Sequence, residues 1–63
     1  MTRLPDHRDA ARIAAFLESH PQWSAFWDKR NGLWRVADDD PYSDLYAASA
    51  DADKVIAYMA AHS

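Results

Sequence analysis

One short stretch, residues 26–36, gathers most of the side chains that are typical of binding surfaces. Its sequence FWDKRNGLWRV holds two tryptophans and three cationic side chains around the pair Asn31-Gly32. Aromatic rings and arginine are enriched at protein interfaces, and aromatic rings also stack on nucleic-acid bases. The same residue types build the core of a small β-hairpin, so the stretch indicates either a binding surface or ordinary packing.

A second stretch, residues 38–44, concentrates carboxylates that could bind a hard cation. Ca²⁺ takes about six to eight oxygen ligands, often from one tight loop. The EF-hand spacing is absent, because no glycine follows the acidic triplet and no glutamate closes the loop. We therefore expect no metal or cofactor here. We expect instead a solvated turn whose carboxylates bond to nearby backbone groups, and these carboxylates are Asp38, Asp39, Asp40 and Asp44.

The three histidines form no catalytic or metal-binding pattern. His7, His20 and His62 are far apart in the sequence, and no cysteine accompanies them. Ser19-His20 and His62-Ser63 are adjacent in sequence, but side chains one residue apart on a helix do not face each other. Gly32 is the only glycine, which excludes a glycine-rich phosphate loop. We therefore do not expect an enzyme.

The composition predicts a single small domain over residues 1–63. Below roughly 70–80 residues a domain usually needs a disulfide, a metal, a partner or a dense core. The chain has no cysteine but has three Trp, three Tyr and two Phe, which favours an aromatic core or self-association. No secretory signal or long apolar run is visible, so we expect a cytoplasmic location. The excess of Ala, Asp and Arg over Ile, Asn and Lys suggests a GC-rich bacterial genome.

Charge is unevenly distributed along the chain, whose formal net charge is -3. Residues 1–37 contain six cationic and four acidic residues, which gives a charge of +2. Residues 38–63 contain one cationic and six acidic residues, which gives a charge of -5. Opposite charges at two ends can steer a charged partner or a second copy of the molecule.

Two helices are predicted to position these stretches. The first covers residues 5–19, with Pro5 or Asp6 at its start and His20-Pro21 at its end. The second covers residues 52–62, with Ser49 or Asp51 as its cap. Each has an apolar stripe at helical spacing: Ala10, Ile13, Ala14, Phe16 and Leu17 in the first, and Ala52, Val55, Ile56, Met59 and Ala60 in the second.

Between the helices, Asn31-Gly32 predicts a β-hairpin with a two-residue turn. Cross-strand partners then have numbers that sum to 63, so that Trp27 faces Val36, Asp28 faces Arg35, Lys29 faces Trp34 and Arg30 faces Leu33. One strand face carries Ala25, Trp27, Trp34 and Val36, and the other carries Phe26, Asp28, Arg30, Leu33 and Arg35.

A helix is the alternative for the first half of this stretch. Pro21 could start it, Trp23, Phe26 and Trp27 would form its stripe, and Asn31-Gly32 would form its C-terminal cap. The sheet would then shrink to two strands.

A third strand is predicted over residues 44–48, with Leu45 and Ala47 on one face and Tyr46 and Ala48 on the other. The result is a small two-layer α+β domain in the order helix-strand-strand-strand-helix. It has a three-stranded antiparallel sheet with both helices on one face.

The sheet face opposite the helices is the predicted binding site, since nothing else in the chain is left to cover it. We expect it to bind a protein partner or a second copy of the chain, with no role at a membrane. Trp23 is expected to be partly exposed and to join the contact. The binding residues are therefore Trp23, Phe26, Arg30, Leu33, Arg35 and Tyr46.

The alternative is a nucleic-acid-binding regulator. The predicted order of elements resembles that of double-stranded RNA-binding domains, in topology alone. That resemblance implies cationic side chains that reach phosphates, whereas Asp51 and Asp53 at the start of the second helix would repel them. The cations available for this role are Arg8, Arg12, Lys29, Arg30 and Arg35.

Overall fold

Two helices and a three-stranded sheet form the part of the chain that the computed structural model describes, residues 4–63. The sheet is antiparallel with the strand order β1-β2-β3, which confirms the predicted α+β fold. The helix starts and ends lie within two residues of the predicted ones, and the third strand begins two residues later than predicted. In chain order the elements are α1 (His7–Ser19), β1 (Trp23–Asp28), β2 (Leu33–Asp38), β3 (Tyr46–Ser49) and α2 (Ala52–Ala61).

Both helices begin at an aspartate cap. The Asp6 carboxylate accepts a hydrogen bond from the Arg8 backbone N–H at 2.7 Å, and Asp51 accepts one from Asp53 N–H at 2.9 Å. A carboxylate at this position satisfies an unpaired N–H group and interacts favourably with the helix dipole, which stabilises a helix by about 1 kcal/mol. Of the alternative caps, the structure therefore selects Asp6 and Asp51.

The hairpin is present, but its loop is longer than predicted. Residues 23–28 are extended, so the alternative helix from Pro21 is wrong. Trp27 pairs with Trp34 and Asp28 with Leu33, so partner numbers sum to 61 rather than 63 and the loop has four residues, 29–32. Gly32 has φ 65° and is the only described residue with a positive φ. A two-residue type I′ turn would need a positive φ at Asn31 as well.

The Asp28 side chain explains the longer loop. Its Oδ1 accepts hydrogen bonds from the backbone N–H groups of Arg30, at 3.0 Å, and Asn31, at 3.2 Å. Its Oδ2 accepts one from Asn31 Nδ2 at 2.9 Å. The Gly32 N–H also donates to the Asp28 carbonyl at 2.8 Å, which closes the loop around this one residue.

The register shift changes cross-strand neighbours but leaves the faces as predicted. Strand side chains alternate between two faces, so a shift by two residues returns each side chain to its own face. Trp27 lies opposite Trp34 instead of Val36, with ring centroids 5.1 Å apart in an edge-to-face contact. Arg35 lies opposite Phe26 instead of Asp28. Arg30 and Lys29 lie in the loop and have no strand partner, contrary to prediction.

The core lies between the helices and one face of the sheet. The most deeply buried large side chains come from β2 and α2, and the apolar stripe of α1 contributes one buried residue. Neither helix within residues 4–63 is long and apolar enough to cross a membrane. The buried residues are Ile13, Trp23, Trp34, Val36, Ala52, Val55 and Met59.

Trp23 belongs to this core, so its predicted partial exposure is wrong. The side chain is 3% exposed and packs edge-on against Tyr58, with ring centroids 6.1 Å apart. Its Nε1–H donates to Ser63 Oγ at 3.1 Å, which satisfies the one polar atom of the buried indole. As the first residue of β1, Trp23 shares the face of Ala25 and Trp27, and that alternation places it inward.

Candidate binding surface

The sheet face that points away from both helices is the candidate functional site, and we call it the open face. Within residues 4–63, α1 and α2 pack against the other face, and their buried residues cluster with Trp23, Trp34 and Val36. On the open face, Phe26 is 60% exposed and Tyr46 is 50% exposed. Strand alternation and register assign it Ser24, Phe26, Asp28, Leu33, Arg35, Ala37, Tyr46 and Ala48.

Arg35 connects the three strands across the open face. It lies on the central strand β2 and is only partly exposed. Its Nε–H donates to Asp28 Oδ2 of β1 at 2.8 Å, and its Nη1–H donates to the Tyr46 hydroxyl of β3. These two bonds fix the plane of the guanidinium, which retains further N–H donors for a partner.

The Asp28 carboxylate is held in its ionised form by the same network. Hydrogen bonds from the Asn31 amide and the Arg35 guanidinium lower its pKa to about 2, and the backbone N–H groups of Asn31 and Arg30 add to the effect. Partial desolvation acts in the opposite direction but is outweighed. One carboxylate therefore sets the loop geometry and orients the arginine of the open face.

The aromatic and apolar side chains complete the surface. Phe26 lies directly across the strands from Arg35, and Leu33 lies across from Asp28 at the loop end. Tyr46 lies across from Ala37 on the far strand. The arrangement can supply apolar contact, ring stacking and hydrogen bonds from a delocalised cation, which together are the interactions of a binding surface.

The two ends of the open face carry opposite charge. Lys29 and Arg30 lie exposed in the β1–β2 loop. At the other end of β2, Ser24 Oγ–H donates to the Asp39 carboxylate, which brings the acidic segment up to the open face. Since β2 runs from one loop to the other, the length of the strand separates the two groups. The acidic group consists of Asp38, Asp39, Asp40 and Asp44.

The acidic segment forms the turn that its sequence predicts. Asp38 Oδ1 accepts from the Asp40 N–H at 2.8 Å, and Asp40 Oδ1 accepts from the Tyr42 N–H at 2.9 Å. Among residues 4–63, no group of three or more His, Asp or Glu side chains is arranged to hold a metal ion.

The structure separates the six residues predicted to bind. Four of them, Phe26, Leu33, Arg35 and Tyr46, share the open face, while Trp23 lies in the core and Arg30 in the loop at the edge. The bond from Asn31 to Asp28 was not predicted, because the Asn31-Gly32 pair on its own indicates only a turn. The position of Asn31 three residues after Asp28 was the available signal, because Asp and Asn at loop starts bond to each other and to nearby backbone groups.

The cations considered for nucleic-acid binding do not share one surface. Arg8 and Arg12 lie on α1, in the layer opposite the open face. Arg12 is paired with Asp53 of α2 and lies 3.6 Å from Asp9, and the bond to Asp53 is the main reason why the pKa of Arg12 is raised. Arg35 is paired with Asp28.

Comparison of the chain with models of known protein families, with curated proteins and with solved structures finds no match.

Proposed function

We propose that this chain is a small interaction module that binds a protein partner, or a second copy of itself, through the open face. The observation that carries the proposal is that Phe26 and Tyr46 stand 60% and 50% exposed on either side of an anchored Arg35. Aromatic residues and arginine are the types that contribute most to protein interfaces. A small domain gains nothing for its own core by keeping two rings on an uncovered sheet.

Preorganisation of the surface supports the same function. The exposed side chains stand on paired strands, and Arg35 is already held by bonds to two neighbouring strands. Side chains that are ordered before binding lose less conformational entropy when the partner arrives. The open face therefore has the properties of a ready-formed contact surface.

A protein is favoured over a nucleic acid as the partner because of the charges around the rings. Asp28 stands on the open face and Asp39 reaches its rim, where a phosphate backbone would meet like charge. The net charge is -3, and two of the cations, Arg12 and Arg35, are engaged by carboxylates within the chain. Binding to labelled duplex DNA or RNA that weakens steeply with salt would favour the nucleic-acid alternative instead.

Site-specific photocrosslinking in the cell that makes the protein tests the proposal. A benzophenone-bearing phenylalanine replaces Phe26 in one variant and Tyr46 in another. In the matched control it replaces Glu18, which is exposed on α1 in the opposite layer. We expect defined protein adducts from positions 26 and 46 and none of the same size from position 18.

The composition of the adducts decides the result. Adducts to a protein, whether another chain or a second copy, support the open face as the contact surface. The proposal fails if positions 26 and 46 give no adduct, or only the adducts seen from position 18. Adding Leu33→Ser to the position 46 variant should reduce its yield, since Leu33 lies on the same face.

A further inference from the structure

We infer that the partner is a second copy of this chain, bound with the two open faces together and the strands of the two copies running in opposite directions. This inference rests on the proposed function and adds to it the identity of the partner and the orientation. Both follow from the charges at the two ends of the open face.

The two ends of the open face carry opposite charges that would attract each other between two copies of the chain. Lys29 and Arg30 are exposed, and neither side chain forms a hydrogen bond or an ion pair with any residue from 4 to 63. Asp39 and Asp44 are exposed at the opposite end of β2. Their charges make no ion pair with a described cation, so both groups remain available for a neighbouring molecule.

Only one two-fold arrangement matches these charges. A two-fold axis perpendicular to the strands, in the plane between the faces, reverses strand direction and lays the basic loop of each copy on the acidic segment of the other. An axis parallel to the strands would instead place basic loop on basic loop and acidic segment on acidic segment. Like-charge juxtaposition disfavours that second arrangement.

The centre of the open face suits a self-complementary contact. Phe26 and Arg35 pair across β1 and β2 near the middle of both strands, so they lie close to the proposed axis. There, the Phe26 ring of one copy meets the Phe26 ring of the second copy, and each Arg35 meets its symmetry mate with its charge balanced by Asp28 of its own chain. An aligned pair of sheets packs side chain to side chain in this manner, with the two faces about 10 Å apart.

The size of the surface predicts weak association. The described residues span 35 × 21 × 15 Å, and a six-residue strand is only about 20 Å long. The contact therefore falls below the ~800 Å² per partner of standard interfaces. We therefore expect a weak dimer, and we test for it at protein concentrations between about 10 µM and 1 mM, where weak association is measurable.

Charge reversal tests both the partner and the orientation by sedimentation equilibrium across that concentration range. The loop-reversed variant carries Lys29→Glu and Arg30→Glu, and the acid-reversed variant carries Asp39→Lys and Asp44→Lys. Asp38 and Asp40 are kept, because their carboxylates hold the turn. The control carries Arg8→Glu and Lys54→Glu, which change net charge as much as the loop reversal but lie on the helices.

We expect each reversed variant alone to self-associate at least about tenfold more weakly than the wild type. The loop reversal places an acidic loop on an acidic segment, and the acid reversal leaves that segment with no net negative charge to attract the basic loop. An equimolar mixture of the two should form a heterodimer, in which the basic loop of the acid-reversed chain meets the acidic segment of the loop-reversed chain. One chain that carries all four substitutions should associate more strongly than the loop-reversed variant, because its acidic loop then meets a segment with no net negative charge. The control should associate like the wild type.

Wild-type protein that stays monomeric at the highest concentration overturns the inference, and so does a fourfold variant that associates no more strongly than the loop-reversed variant. If the circular dichroism spectrum shows that a variant is unfolded, NMR spectra of the wild type recorded over a dilution series decide the question instead. Concentration-dependent shifts confined to the strands and the two loops support the inference, whereas shifts confined to the helices overturn it. Photocrosslinks from position 26 to a different protein, found with a monomeric wild type, overturn only the inference and leave the proposed function standing.

Discussion

Arg35 and Asp28 are joined diagonally across the first two strands, with Arg35 Nε and Asp28 Oδ2 2.8 Å apart, although Phe26 is the residue directly opposite Arg35. The diagonal contact exists because the loop that follows Asp28 is two residues longer than the Asn-Gly pair predicts. The same carboxylate accepts hydrogen bonds from Asn31 and from the backbone N–H of Arg30. The Asp28 side chain therefore determines both the geometry of the loop and the position of the Arg35 charge on the open face.

The first prediction concerns acid stability. The pKa of Asp28 is about 2 in the folded chain, below the ordinary 3.8, so its ionised form stabilises the fold. That contribution is complete above the ordinary pKa and is lost as the pH falls through about 2, because the unfolded chain binds the proton more readily. The difference in unfolding midpoint between wild type and Asp28→Asn, measured by urea titration, should shrink steadily from pH 5 to pH 2. Asp44→Asn serves as the control for the loss of one negative charge, because Asp44 forms no ion pair with a described cation.

The second prediction separates the two partners of the ion pair. Asp28→Ala removes the acceptor of the loop as well as the partner of Arg35, whereas Arg35→Ala removes only the contacts of the guanidinium. Thermal unfolding should therefore give a lower melting temperature for Asp28→Ala than for Arg35→Ala. Equal losses would mean that the hydrogen bonds to the loop contribute no more than the bond from Arg35 to Tyr46, which only Arg35→Ala removes.

The third prediction concerns the loop backbone. Gly32 has φ 65°, a conformation that costs a residue with a Cβ roughly 1–2 kcal/mol. Gly32→Val should therefore lower the free energy of unfolding by at least about 1 kcal/mol, and Gly32→Asn by less, since Asn tolerates this region better. Asn31→Gly should be destabilising too. Asn31 does not have a positive φ, so glycine relieves no backbone strain there, and the substitution removes the side-chain bond to Asp28. A stabilising Asn31→Gly would indicate a two-residue turn.

The fold could be predicted from the sequence because each of its elements has a local cause. Asp6 and Asp51 mark helix starts, the alternation of Ala25, Trp27, Trp34 and Val36 marks a half-buried hairpin, and both helix stripes need the same sheet face. Alternation also made the face assignment insensitive to the register. A two-residue error returns each side chain to the same face, whereas a one-residue error would have inverted the sheet.

The exact pairing and the burial of Trp23 could not be predicted, because both depend on contacts outside the local pattern. The loop length follows from side-chain bonds that Asp28 makes to the loop, and these compete with the two-residue turn favoured by Asn31-Gly32. Trp23 is buried by residues at the other end of the chain, since Tyr58 packs on its ring and Ser63 accepts its N–H. Neither contact can be predicted from the periodicity of apolar residues in the sequence.

The fourth prediction assigns Trp23 to stability rather than to binding. Trp23→Phe keeps an aromatic ring in the core but removes the Nε1–H that donates to Ser63, and it leaves a small cavity. The free energy of unfolding should fall by about 1–3 kcal/mol. Photocrosslinking from position 46 should be unchanged at temperatures where the variant is folded. A stable variant with a reduced crosslink yield would place Trp23 in the contact surface.

The fifth prediction compares the two faces of the sheet at neighbouring positions. Val36 is 1% exposed against the helices, so Val36→Ser creates a cavity and buries a hydroxyl, and should cost at least about 2 kcal/mol of unfolding free energy. Phe26→Ser removes a much larger side chain from the open face but should cost less than about 1 kcal/mol, because that ring is already 60% exposed. Urea unfolding of the two variants checks the ordering. If Phe26→Ser destabilised the monomer as strongly as Val36→Ser, Phe26 would be a core residue, and the surface that both proposals require would not exist.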